Sequence, residues 1–305
     1  MFREFESIID VLTTDEQVFI EHLTAIRWKD GAYCPHCGST KVYHFSDKKT
    51  HKCGEKECRK RFSIRVGSIF EDSKLPLTKW YGAIWLLTTN KKGIASTTLA
   101  KHLKVTQKTA WFMLHRLRHA ARTNSFNRKL KGTVEVDETY HGGKERNKHK
   151  HKKTPGSQGG KGKAVVWGAL ERDGELRVEH IDGTDGKTLK GKVAEHVADG
   201  ATVMTDEAAA YKGLQGRVNH HAVNHSANEW VRHFCIHTNG IEGAWSHFKR
   251  QVIGVHYWLS DDHLHRYLSE FAWRWNRREM EDGERVNALL DSVSGKRLTY
   301  RALTA

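Results

Sequence analysis

The chain has 305 residues, room for about two domains with small modules attached, and carries 51 Lys+Arg against 36 Asp+Glu, a net charge of +15. Hydrophobic residues make up 38 %, so wholesale disorder is excluded, and no run of about 18 apolar residues offers a membrane span. So basic a balance points to a polyanionic partner, of which nucleic acid is the commonest soluble one; a merely solubilising surface is the other reading of charge alone. Residues Met1 to Glu6 are too acidic and too little apolar for a signal peptide, so the expected location is the cytoplasm, at the nucleoid.

A helical segment is expected over residues 1–30, followed by a zinc ribbon over 31–66. Four of the five cysteines fall there: Cys34 and Cys37 flank Pro35-His36, and Cys53 and Cys58 have four residues between them. Two close pairs separated by residues 38–52 match two knuckles that supply four thiolates to one tetrahedral zinc. Gly38 gives the first knuckle its tight backbone. Disulfides are the alternative, disfavoured in a reducing compartment; a second alternative brings in His36 or His51 as a ligand. Cys235, between Phe234 and Ile236, reads as a small buried side chain.

Residues 67–125 read as helical. Thr78 is placed to cap a helix carrying Tyr81, Ile84, Trp85 and Leu87, and Ser96 a short one with Leu99, Ala100 and Leu103. After Lys104-Val105, Thr106 can cap a longer helix with Ala110, Met113, Leu114 and Leu117 inside and Gln107, Lys108, His115, Arg116 and Arg118 outside. Helix, short turn and basic helix make a helix-turn-helix candidate whose second helix enters a major groove, with Gln107, Lys108 and Arg116 as contacts. A plain helical linker is the alternative.

From residue 130 to 280 the texture is strand, turn, strand. Strands are expected at Thr133–Tyr140, Ala164–Leu170 and Glu175–Ile181, a helix at Thr188–Ala198, and a short buried strand at Ala201–Thr205 ending in Asp206, with a helix to follow. That succession opens an RNase H-like mixed α/β sheet with flanking helices. Later, Ile241, Trp245, Phe248 and Val252 form an apolar helical stripe ending near Gly254, with Glu242, Ser246 and Lys249 as the adjacent row. Asp137, Asp206 and Glu242 can then meet as a hard oxygen site for Mg²⁺ or Mn²⁺, with Lys249 for phosphate. Two such ions roughly 4 Å apart serve phosphodiester cleavage and joining. Taken singly, Asp137 reads equally as a solvent-facing acid like Glu135, Asp206 as a helix cap, and Glu242–Lys249 as a charged helix edge. Between the first two strands, residues Lys144–Lys163 hold eight Lys+Arg and one acid with no large apolar residue. They form a basic loop in which Lys144, Lys148 and Lys152 contact phosphate backbone, or else a solvated insertion. Among 21 histidines only His237, near Asn239 and Glu242, suggests a site role. Residues 281–305 read as a C-terminal tail.

The order of zinc ribbon, helical segment and acidic domain resembles the bacterial insertion-sequence transposases of the ISXO-type zinc-ribbon DDE group. The matching stretches are Arg27-Trp28 to Gly38, Val136-Asp137-Glu138-Thr139-Tyr140 to Gly143, and His237-Thr238-Asn239-Gly240-Ile241-Glu242. Lys249-Arg250, His256 and His265 to Asn276 extend the likeness over about residues 10–280. The resemblance implies an RNase H-like core, Mg²⁺-dependent cleavage at element ends and 3′-hydroxyl attack on target DNA. It also implies Asp137 and Asp206 as metal-binding acids and Lys249 as a DNA contact beside Arg250. For the third member, Asn239 is the alternative to Glu242, and Glu242 is favoured because a carboxylate binds Mg²⁺ better than an amide.

The expected function is therefore a DNA transposase acting on terminal inverted repeats and target DNA, as a homodimer or higher assembly on DNA and with no membrane partner. The helix after Ser260, with Leu264, Leu268, Phe271 and Trp275 on one stripe and Arg266, Trp273, Arg274, Arg277 and Arg278 mainly outside it, offers residue types suited to DNA or a second protomer. The alternatives are a non-catalytic zinc-ribbon/helix-turn-helix DNA-binding protein and an RNase H-like nuclease that cuts without joining.

Overall fold

The computed structural model describes residues 5–122, 128–143, 149–153, 162–227 and 229–304. The chain divides into two compact units, residues 1–122 with 279–305, and residues 123–278. No helix among the described residues is long and apolar enough to cross a membrane.

The first unit opens with α1 (Ile8–Thr13), whose cap Ser7 accepts from the Asp10 amide, and α2 (Glu16–Arg27), capped by Asp15. Then β1 (Val42–His44), β2 (Thr50–Cys53) and β3 (Arg61–Ser63) form an antiparallel sheet in that order. The four cysteines gather beside it. Cys34 Sγ lies 3.8 Å from Cys58 Sγ, Cys37 Sγ lies 3.6 Å from Cys53 Sγ, and all four sulfurs fall within 4.8 Å of one another. A tetrahedron with zinc–sulfur bonds of about 2.3 Å has edges of about 3.8 Å, so the donor set fits one zinc. Gly38 turns the first knuckle at φ +77° and donates its N–H to Cys34 O. The alternative ligands stand elsewhere: His51 Nδ1 is 2.9 Å from His44 Nδ1, and the His36 ring packs on Phe62.

Next come α3 (Leu77–Thr89), α4 (Ser96–Leu103) and α5 (Gln107–Ala121). The first two are capped one or two residues earlier than the pattern suggested, at Pro76 and Ala95, while Thr106 caps α5 by accepting from Thr109 N. Lys104 turns between α4 and α5 in the left-handed region. α5 departs from expectation. Gln107 and Lys108 are exposed, but His115, Arg116 and Arg118 are buried. Arg116 Nη1 donates to the carbonyls of Ile69 and Glu71, both at 2.8 Å, and its guanidinium lies 4.4 Å from the Phe112 ring centroid. Satisfied donors are what make a buried guanidinium tolerable, and they withdraw Arg116 from the groove-facing set.

In the second unit, β4 (Thr133–His141), β5 (Ala164–Glu171) and β6 (Leu176–Ile181) are antiparallel neighbours; α6 (Gly186–His196) leads to β7 (Thr202–Thr205), and β8 (Asn219–Ala222) follows. The order is β6-β5-β4-β7-β8, with β7 parallel to β4 and β8 parallel to β7. This mixed sheet of three antiparallel strands continued by two parallel ones is RNase H-like. After Asp206 the expected helix is only a short 3-10 turn, Ala209–Tyr211, and β8 takes the edge. α7 (Asn239–Gln251) and α8 (Asp261–Trp275) cover one face, where Val166, Leu170 and Val178 meet Ile241, Trp245, Phe248, Leu264 and Phe271. On the other face α6 packs Leu189 and Val193 on Val134, Val136 and Trp167. Trp273 and Arg274, expected outside the α8 stripe, are buried, and Arg274 Nη2 donates to Gln251 Oε1 (2.7 Å) and pairs with Glu270 (3.1 Å). Cys235, expected inside, is exposed.

Residues 281–305 are more than a tail: α9 (Asp282–Leu290) and α10 (Tyr300–Thr304) belong to the first unit. Val286, Leu289 and Leu290 are buried, and α9 packs on α3 and α5. The ribbon geometry yields a direct expectation. Elemental analysis of the purified full chain should find one zinc per chain, and the pair Cys53→Ser with Cys58→Ser should lose it; retention by that pair contradicts the four-sulfur site.

Candidate active site

Alternation along β4 turns Val134 and Val136 toward α6 and turns Glu135, Asp137 and Thr139 toward α7. Acids on an inward face need partners. Glu135 is 1 % exposed; its Oε1 takes the Arg172 Nε–H (2.7 Å) and its Oε2 takes the Ile241 N–H at the start of α7 (3.0 Å). A carboxylate at a helix N-terminus also complements the helix dipole. The fit requires Gly240, since a Cβ there would come 2.8 Å from Glu135 Oε2. His237 joins this network, with Nδ1 3.3 Å from Glu135 Oε1 and 3.0 Å from Arg172 Nη2. Its role in these contacts is to brace the helix start.

One turn along α7, Trp245 Nε1 donates to Asp137 Oδ2 at 3.0 Å. Gly168, the cross-strand partner of Asp137, makes room for the indole: a Cβ there would come 2.6 Å from the Trp245 ring. Asp206 follows β7. Because Thr133 pairs with Thr202 and Glu135 with Met204, continuing the parallel register brings Asp137 level with Asp206. Asp206 directly follows the carboxyl end of β7, where α/β sheets gather their ligands, and it stands beside the middle of β4. Asp206 Oδ1 accepts from Ala208 N at 3.0 Å.

Asp137 and Glu242 line one cavity of about 370 Å³, with Glu138, Thr139, Trp245, Ser246 and Lys249. The row expected on α7 therefore faces Asp137. Burial pushes the Asp137 carboxyl up to about 6; a backbone hydrogen bond at Glu138 acts the other way, and the charges of Asp206 and Glu242 raise it further. Glu242 Oε1 accepts from Thr238 Oγ1 (2.8 Å) and lies 3.3 Å from His225 Nε2. Glu207 in turn takes the N–H groups of His225 (3.0 Å) and Ser226 (3.1 Å), tying the residue after Asp206 to the histidine beside Glu242. Asn239 is exposed and is not among the residues lining the cavity.

Two contributors were missed from sequence. Glu138 is raised to about 7 by burial, opposed by a hydrogen bond from Tyr211 and reinforced by the charges of Asp137 and Asp206. The doublet Asp137-Glu138 was its only signal. His225 had none, being one histidine among many. Of the expected DNA contacts, Lys249 and Arg250 are exposed. Gln107 donates to Ser96 Oγ (2.9 Å), and Lys108 sits 4.8 Å from the Tyr300 ring centroid. Lys144, Lys148 and the Lys152 side chain lie outside the described residues.

Residues 129–276 match the sequence model of the ISXO2-like transposase domain, and residues 13–61 that of the transposase zinc-ribbon domain. A transposase-like protein of Haemophilus influenzae is 30 % identical over 109 residues, covering 35 % of this chain and 85 % of that protein. The chain belongs to the ISXO2-like transposase family. An uncharacterised protein in transposable element ISH50 of Halobacterium salinarum is 28 % identical over 285 residues, 89 % of this chain and 94 % of that protein. Halobacterium is an archaeon, so the likeness extends beyond the bacterial group expected from sequence. The crystal structure of a pre-cleavage Mos1 transpososome aligns over 70 % of this chain and 78 % of its own at 11 % identity, with a TM-score of 0.24, too slight a likeness to carry an argument.

The raised Asp137 carboxyl has a consequence for stability. Its folded-state pKa of about 6 exceeds the ordinary value of 3.8 for an aspartate. Folding therefore favours its proton, and that contribution, complete below about pH 4, is lost as pH rises through about 6. Asp137→Asn cannot ionise. Without added Mg²⁺ or Mn²⁺, urea unfolding should show the variant gaining on the parent protein by up to about 2 kcal/mol between pH 4.5 and pH 8. An equal difference at both pH values contradicts the assignment.

Proposed function

We propose that the chain is a DNA transposase that cleaves strands at the ends of an insertion sequence and joins the freed 3′-hydroxyl to target DNA. The observation that carries this reading is Asp137 facing Glu242 across one cavity, level in register with Asp206, in a chain of this family. Asp137, Asp206 and Glu242 would hold Mg²⁺ or Mn²⁺, since their donors are all hard carboxylate oxygens. Two such ions, when bound, supply an activated attacking oxygen and a stabilised leaving oxygen.

The chain's own groups supply position and charge. Trp245 fixes the Asp137 carboxylate through its Oδ2. Thr238 and His225 orient Glu242. Lys249, on the cavity wall, would meet a phosphate oxygen as a point charge, and Arg250 would follow the backbone. Gln107 and Lys108, at the exposed start of α5, are the proposed groove contacts, where the first residues of a recognition helix read base edges. Lys144, Lys148 and Lys152 are proposed to grip phosphate backbone. At least two protomers are proposed to act together on DNA, because insertion needs two ends held at a fixed separation.

Asp137→Ala, Asp206→Ala and Glu242→Ala should each slow metal-dependent cleavage of end DNA roughly a hundredfold or more, while gel-shift affinity measured without divalent metal stays close to that of the parent. Cleavage surviving all three changes contradicts the reading. A parent chain that binds ends and never cuts returns it to a DNA-binding protein.

A further inference from the structure

Beside the carboxylate cavity lies a second one of about 220 Å³, lined by Tyr140, Phe248, Lys249, Ile253, Tyr257 and Trp258 among others. Lys249 belongs to both walls. The second cavity is aromatic and open: Tyr257 is 83 % exposed, Trp258 61 % and Ile253 71 %. Contiguous exposed apolar surface of this kind marks an interaction site more often than a solvated face.

The local backbone is built to present these rings. α7 passes into a π-helical turn, Val252–His256, and such turns are frequent at functional sites. Tyr257 then takes φ +61° with ψ −42°, a conformation uncommon for a bulky residue. It is pinned by its N–H to Val252 O (2.6 Å), and the Trp258 N–H donates to His256 O (2.7 Å). Beneath them His141 is occupied, its Nε2 3.1 Å from Leu259 O. The remaining free chemistry is flat π surface with one ammonium at the edge nearest Asp137 and Glu242. At 220 Å³ the space is below the roughly 300–1,000 Å³ of drug-sized ligand sites and suits a single planar ring system.

We propose that this cavity takes one unstacked nucleobase of the DNA strand whose phosphate lies against Lys249, stacking it on Tyr257 and Trp258. A nucleotide is the occupant that supplies both a planar ring for the aromatic wall and an anion for the shared lysine, and the +15 chain charge favours a polyanion over a protein partner. Base extrusion beside the reacting phosphate would hold the strand in place while the backbone is cut. The inference rests on the catalytic reading for the placement of that phosphate.

The test uses the full-length zinc-loaded chain and duplexes bearing the terminal repeat that flanks its gene, with 5-iodouracil placed singly at each position around the phosphate to be cut. Binding is measured without Mg²⁺ or Mn²⁺, so the readout does not depend on cutting. Irradiation should cross-link one position to Tyr257 or Trp258, identified by peptide mass spectrometry. Tyr257→Gly with Trp258→Ala should lose the cross-link and weaken end binding roughly tenfold to a hundredfold, with a urea midpoint no lower than the parent's, since both side chains are mostly exposed and glycine accepts the positive φ. Trp258→Phe should keep the cross-link. Absence of a cross-link to these residues at every position, or unchanged affinity in the double variant, overturns the proposal. So does a double variant that loses only self-association, which would make the rings a contact with a second copy. An end that is cross-linked but never cut leaves the pocket standing and sinks the catalytic reading; an end that is cut without a cross-link sinks the pocket alone.

Discussion

The register of α7 on β4 is the constraint on which the candidate site depends. Two strand residues advance about 6.6 Å and four helix residues about 6 Å, so acids at i and i+2 can meet helix positions at j and j+4. Glu135 meets the Ile241 amide and Asp137 meets the Trp245 indole. Two glycines permit the approach, Gly240 against the Glu135 carboxylate and Gly168 against the Trp245 ring. With those contacts made, Glu242 and Lys249 have no freedom to leave the cavity wall. The hydrophobic stripe of α7 is not sufficient for this, because a stripe sets which face is buried and not where the helix sits along the strand.

The same register concentrates negative charge inside a strongly basic chain. Asp137 is pushed up to about 6 and Glu138 to about 7, in both cases chiefly by burial, with neighbouring carboxylates adding to it. Glu135 is buried more deeply but has Arg172 against it. The difference separates structural from chemical acids on one strand: Glu135 is neutralised from within the fold, whereas Asp137 has only an indole N–H and its own backbone for company. Carboxylates gathered at one cavity, with Asp137 given no arginine partner of the kind Glu135 has among the described residues, are suited to an external cation.

How much was legible in the sequence follows from which physical signal each element carries. Cysteine spacing gave the ribbon because knuckle geometry is local. Alternation in Thr133–His141 and the stripe through Ile241 and Phe248 gave the sheet and α7, since each buries one apolar face. β8 was invisible, because Asn-His-His-Ala has no apolar alternation and is recruited by pairing with β7 alone. Arg116 was misplaced because periodicity cannot distinguish a solvated arginine from one whose N–H groups meet the carbonyls of Ile69 and Glu71 some 45 residues earlier. Glu135 looked like a solvent-facing acid for the same reason, its partners Arg172 and Ile241 being remote in the chain. The fold of residues 281–305 onto the first unit was likewise a long-range matter.

The central claim is that Asp137, Asp206 and Glu242, and not Asn239, hold divalent cations between the middle of β4, the carboxyl end of β7 and the start of α7. Mn²⁺ binding to the zinc-loaded full chain, followed by electron paramagnetic resonance, tests it without DNA or turnover. Asn239→Ala should bind Mn²⁺ as the parent does, while Glu242→Gln, which keeps the side-chain shape and removes the charge, should weaken binding by about tenfold or more. Parent-like binding by Glu242→Gln together with loss in Asn239→Ala would contradict the account.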